Sequence, residues 1–131
     1  PDVPMNGPFG LRALGQIQMP VDDLPRAIGF YRDVLGMAFL FEVPGMGFFS
    51  LGDIRLMLGE REEGSAPQGS ILYFSVDDIL EASEELKGRG VSFDLDPTRI
   101  AEMPDHDLWM SFFKDSEGNQ LALMSEVPRD P

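Results

Sequence analysis

One imidazole is available for acid–base chemistry in this chain, His106, set in Met103-Pro104-Asp105-His106-Asp107-Leu108-Trp109. Two flanking aspartates favour its charged form, and Glu102 lies close enough in sequence to act as a partner in a proton transfer. The competing reading is a surface histidine salt-linked to its neighbours. Two amides, Gln16 and Gln18, are spaced to share one face of a strand, where they could orient a ligand or simply meet water. The chain has no Cys, which excludes disulfides, thiolate metal sites and a thiol nucleophile and fits a cytoplasmic setting. Gly45-Met46-Gly47 has no helix after it, so it reads as a turn and not as a phosphate cradle. Eight methionines, among them Met57, Met103, Met110 and Met124, suit either an adaptable pocket or ordinary core filling.

These groups must be carried by a small scaffold. At 131 residues, 43% hydrophobic and 10% aromatic, the chain has the make-up of one globular domain. No apolar run is long enough to cross a bilayer, and the first ten residues lack the basic-then-apolar order of a secretory leader. Against 10 Lys and Arg stand 23 Asp and Glu, a net charge of −13 that repels phosphate backbones and attracts cations. Nucleic acid and membrane are therefore not expected partners.

The scaffold is written twice. Val21-Asp22-Asp23 returns as Val76-Asp77-Asp78, fifty-five positions on, and Ala27 returns as Ala82 at the same offset. Each copy reads as strand, helix, glycine stop and then further strands, so each half is expected to be βαβββ. In the first, a half-buried strand over Leu11 to Pro20 leads to a helix carrying Leu24, Ala27, Ile28, Tyr31 and Leu35 as one stripe, ended by Gly36. Strands over 37–43, 46–51 and 54–58 follow, with turns at Pro44-Gly45 and Gly52-Asp53. Module one thus spans about 11–59, a polar linker 60–70, and module two about 71–126, together making one domain over 1–131. In module two a strand over 71–76 precedes a helix bearing Ile79, Ala82 and Leu86. A strand over 91–95, a polar loop or irregular edge strand over 97–107, strands over 108–114 and 119–125, and a loose tail complete it.

Val21-Asp22-Asp23-Leu24 with Phe30-Tyr31-Arg32-Asp33-Val34-Leu35-Gly36, and Phe74-Ser75-Val76-Asp77-Asp78-Ile79 with Phe112-Phe113-Lys114-Asp115-Ser116-Glu117-Gly118-Asn119, resemble the vicinal oxygen chelate superfamily of glyoxalase I, extradiol dioxygenases and bleomycin-resistance proteins. Ser116 stands where that family usually has Pro. The resemblance implies an α+β fold of two βαβββ modules forming an open, cup-shaped mixed sheet, often completed by a second subunit. In metal-dependent members, His, Glu or Gln on the first and last strands of each module bind a divalent ion. The matching positions here are Gln16, Met57, Ile71 and Ala122. Hydrocarbon and thioether groups at three of the four cannot hold such an ion, so no metal and no cofactor are expected.

On the same parity the cup should collect Gln16, Gln18, Arg55, Met57, Ile71, Tyr73, Ser75, Gln120, Ala122 and Met124. Trp109, with Ser111 and Phe113, is assigned to the cup as an aromatic platform, reversed parity being the alternative. The leading expectation is a homodimer that binds a small, partly apolar molecule, neutral or cationic, without metal, comparable to the bleomycin-resistance branch. The alternatives are a lyase or isomerase using His106 and Glu102, a metal enzyme with displaced ligands, or a purely structural dimeric partner.

Overall fold

A computed structural model describes residues 9–62 and 69–129. Module one comprises β1 (Gln16–Val21), α1 (Leu24–Gly29), a π-helical turn (Phe30–Val34), β2 (Ala38–Val43), β3 (Met46–Leu51) and β4 (Ile54–Glu60). Module two comprises β5 (Leu72–Ser75), α2 (Ile79–Gly88), β6 (Phe93–Glu102), β7 (His106–Lys114) and β8 (Gln120–Pro128). The sheets run β1-β4-β3-β2 and β5-β8-β7-β6, each with its first strand parallel to its last and the other pairs antiparallel. This is the α+β architecture of two mixed four-stranded sheets and two helices that the repeat implies.

The repeated Val-Asp-Asp has a local cause. In both copies the second aspartate caps the helix. Asp23 accepts the Arg26 N–H at 3.1 Å, and Asp78 accepts those of Leu80 and Glu81 at 3.1 Å each. Pro25 sits in the first turn of α1, where a missing N–H costs nothing. The first helix departs from expectation after Gly29. There it widens, and the Leu35 N–H donates to the Phe30 carbonyl five residues back at 3.0 Å. Within that widened turn Tyr31 is completely buried, and its hydroxyl donates to Asp115 at 2.7 Å.

Met19, Val21, Phe49, Leu56 and Leu58 of the first sheet are buried with Leu24, Ala27 and Ile28 of α1, and Leu121, Leu123 and Phe113 of the second with Ile79 of α2. The two sets belong to one continuous core. Polar groups fasten the modules where the core ends. The turn after β7 supplies Glu117, whose side chain is fully buried. It accepts the N–H groups of Asp22 and Asp23 at 3.0 and 2.8 Å and both arms of the Arg26 guanidinium at 2.7 and 3.0 Å. Burial alone would raise its pKa, but the Arg26, Asp23, Ser116 and Asp22 hydrogen bonds outweigh it and bring the carboxyl down to about 2. Asn119 donates to the Pro20 carbonyl at 2.7 Å and to Asp115 at 3.0 Å. Burial and the Asp115 carboxylate together push the Tyr31 hydroxyl pKa far up, so it stays a donor. The Asp115-to-Asn119 stretch, part of the family likeness, therefore acts here as a fastening between modules.

Three expectations need correction. Trp109, Ser111 and Phe113 are on the core side of β7, not the outer side; Ser111 and Phe113 are fully buried, and Trp109 packs against the core. Large apolar groups on both faces of this strand leave its phase open, and the shared core decides it. The tail is ordered through Pro128, because β8 continues beside His106 and Asp107. Arg129 then binds Asp107 and the carbonyls of Met103, Pro104 and His106. The first strand begins at Gln16 and not at Leu11. Of the two readings for 97–107, the irregular edge strand is the one found over 97–102, which continue β6 through several register shifts. Most of the linker, 63–68, and the first eight residues lie outside the described residues.

Candidate functional site on the outer sheet faces

Each sheet has one face under the helices and one face left open. On the first sheet, Gln16 lies beside Arg55 and Gln18 beside Met57, and Phe48 is opposite Met57 on the next strand. The Gln16 Nε2 is 3.8 Å from the Met57 sulfur. The Arg55 guanidinium lies 5.4 Å from the centre of the Phe48 ring, and Phe41 stacks on Phe48 at 4.6 Å. A cavity of about 450 Å³ opens on this face, lined by Gln18, Met46, Met57 and Gly59, with Glu60 and Glu62 among its walls. A side chain at Gly59 would bring its Cβ within 3.0 Å of the Gln18 amide nitrogen, so glycine there is what lets that amide lie flat over the strand. Arg61, on the same wall, gives its Nε to Asp22 at 3.0 Å.

The second sheet presents a different surface. Tyr73 lies beside Ala122 and Phe112 opposite it. The Tyr73 and Phe112 rings meet edge to face at 6.0 Å, and Ala122 is completely buried. Ile71 stands exposed just before β5. Gln120 gives its amide to the backbone carbonyls of Phe113 and Leu121 at 2.9 and 3.3 Å.

The structure thus gathers Gln16, Gln18, Arg55 and Met57 on one face, and Ile71, Tyr73, Gln120 and Ala122 on another. Trp109 joins neither group. It lines a separate cavity of about 320 Å³ at the start of α2, with Asp77, Asp78, Ile79 and Ser125. His106 and Glu102 face different partners. His106 Nδ1 is 2.7 Å from Asp105 and its Nε2 3.8 Å from Glu126, whereas Glu102 pairs with Arg99 at 3.3 Å. The hydrogen bond to His106 lowers the Asp105 pKa. Asp107 turns to Arg129 instead of to the imidazole. Sequence reasoning missed Phe48, Phe41 and Met46, and reached Phe112 only through the reversed-parity alternative. For the first of these a signal existed, since a two-residue turn at Gly52-Asp53 forces Phe48 opposite Met57.

The four positions at which the resemblance implies metal ligands do not suit a hard divalent ion. Ala122 and Ile71 offer no donor, Met57 a soft one, and the Gln16 amide already faces that sulfur. Among the described residues, no three His, Cys, Asp or Glu side chains converge on one point. Nor, among them, is any helix long and apolar enough to cross a membrane.

A family model described as Glyoxalase/Bleomycin resistance protein/Dioxygenase superfamily matches residues 13–123. Metallothiol transferase FosB of Staphylococcus haemolyticus is 35% identical over 124 residues, covering 86% of this chain and 83% of its own. The structure of lactoylglutathione lyase from Agrobacterium tumefaciens superposes with a TM-score of 0.70 at 22% identity, covering 86% of this chain and 92% of that one. A superfamily member from Sphaerobacter thermophilus superposes at 0.73 with 25% identity, covering 88% and 98%.

Proposed function

Because the chain belongs to the Glyoxalase/Bleomycin resistance protein/Dioxygenase superfamily, whose members run different chemistries on one scaffold, we propose that it binds a small, partly apolar molecule, neutral or cationic, on the outer face of its first sheet, without metal. The observation that carries this reading is the open space over Gln18 and Met57. It combines the thioethers of Met46 and Met57 with the Gln18 amide, which can fix an orientation, and the Phe48 ring stands opposite Met57 on the next strand, a make-up that suits a small-molecule site. Glu60 and Glu62 on its wall, in a chain of net charge −13, favour a cation over an anion. A second copy closes the cup. Support comes from the apolar groups left open on these faces: Phe41 and Tyr73 are 44% and 43% exposed, and Met46 is 38% exposed.

The test is a titration with benzyltrimethylammonium, followed through the methionine methyl resonances. Saturable shifts at Met46 and Met57, lost in Gln18→Leu, are expected. A stoichiometric divalent ion in protein purified without chelator, released by Gln16→Ala, would overturn the metal-free reading.

The 35% identity to a protein named metallothiol transferase favours a second reading, an enzyme whose metal ligands have moved from their usual positions. The donor set described above weighs against it. The lyase or isomerase alternative needs His106 and Glu102 to act on one substrate, and their separate ion pairs weigh against that. Full ligand binding and full biological effect in His106→Ala would remove that alternative.

A further inference from the structure

On the helix side of the sheets a second space remains between the modules. Its walls are Val34 and Leu35 from the end of the π-helical turn, Ala82 and Leu86 from α2, and Phe74 and Phe113 from the second sheet, around about 320 Å³. The polar groups at its rim are Glu85 and Arg89, and they are engaged. Arg89 gives Nε to Glu85 at 3.1 Å and Nη1 to the Val34 carbonyl of module one at 3.0 Å.

We propose that this inter-module cavity binds a small, uncharged, apolar molecule of one or two rings, at a site separate from the outer sheet faces. Ordered water needs two to four polar partners, and apart from Glu85 and Arg89 at the rim, which bind each other, these walls are hydrocarbon, so an apolar guest has little to displace. The volume lies at the low end of the range for ligand pockets, enough for one or two rings and not for a peptide. A charged guest would lose its hydration and find the one nearby guanidinium already committed. The space is also held open. Arg89 ties the C-terminal end of α2 to the π-helical turn, while the Tyr31–Asp115 and Arg26–Glu117 bonds fix the modules elsewhere. Closing the gap by collapse would break one of these, so the site is preformed and not waiting on a rearrangement.

Indole is the neutral probe and indole-3-acetate its charged control, with methyl resonances as the readout. Indole should shift the methyls of Val34, Leu35 and Leu86 saturably, with those of Met46 and Met57 unmoved, and indole-3-acetate should bind at least about tenfold more weakly. Ala82→Phe, which fills the space, should weaken indole binding about tenfold or more. Ala82→Leu, a smaller intrusion, should weaken it to a lesser degree and serves if the larger change fails to fold. Three results would overturn the proposal: no saturable shift in the wild-type protein, shifts confined to Met46 and Met57, or undiminished binding in both Ala82 variants. Shifts at Val34 and Leu86 that grow with protein concentration without probe would also overturn it, by placing a second copy in the gap. Because the methionine methyls report the outer face independently, failure here leaves the binding reading of that face intact.

Discussion

Gln18, Met57 and Phe48 on the first sheet occupy the same ladder positions as Tyr73, Ala122 and Phe112 on the second. In the first trio a flat amide and a thioether leave room above the strands. In the second, two rings meet beside a fully buried methyl group and fill the space over that ladder position. The modules differ in their inner work as well. Module two supplies the turn that fastens onto module one, through Asp115, Glu117 and Asn119, and module one returns no equivalent turn, having Leu51-Gly52-Asp53-Ile54 there. Duplication gives two copies of a frame, and side-chain size at three ladder positions decides which copy keeps open space above those positions.

The comparison can be broken most forcefully at the fastening. Glu117→Ala should cost about 3 kcal/mol in urea denaturation, since four hydrogen bonds to a buried carboxylate vanish together. An unchanged midpoint would show that the modules are held by the core alone. The same group sets the acid response. Its pKa lies below the ordinary 4.5, at about 2, so its contribution is complete above about 4.5 and is lost as pH falls from there toward 2. Glu117→Gln should flatten stability across that window, and a steep acid loss retained in the variant would assign it to other carboxylates.

Ala122→Leu comes next, at about 2 kcal/mol, because the space under Tyr73 and Phe112 is already filled. A neutral result would mean that the rings swing aside and that the second face opens as the first does. Gly59→Ala should cost less, about 1 kcal/mol, and should displace the Gln18 amide, weakening binding of a cationic probe several-fold. The smallest effect on stability belongs to Gln18→Leu, within about 0.5 kcal/mol by thermal melting, although it should remove ligand binding. Loss of fold in that variant would make Gln18 structural and sink the distinction between the two faces.

Much of the frame was legible from local signals. The Val-Asp-Asp repeat marks both helix caps, and the turns at Gly45, Gly52 and Gly118 carry the positive φ that their glycines anticipate. The π-helical turn was not legible, because it accompanies a bond between Tyr31 and Asp115, eighty-four residues apart. The side of Trp109 was not legible either, since alternation yields two phases and β7 is apolar in both. The positions of Gln16, Gln18, Arg55 and Met57 on one face followed from strand parity. The closing of the second face did not, because it depends on Phe112 reaching Tyr73 across an intervening strand.

The placement of Glu117 bears on the order in which the protein can be made. As the chain leaves the ribosome, α1 emerges with Arg26 and two backbone N–H groups facing solvent, and their acceptor follows some ninety residues later. Module one made alone should therefore fray at the start of its helix, and a separately supplied second half should steady it.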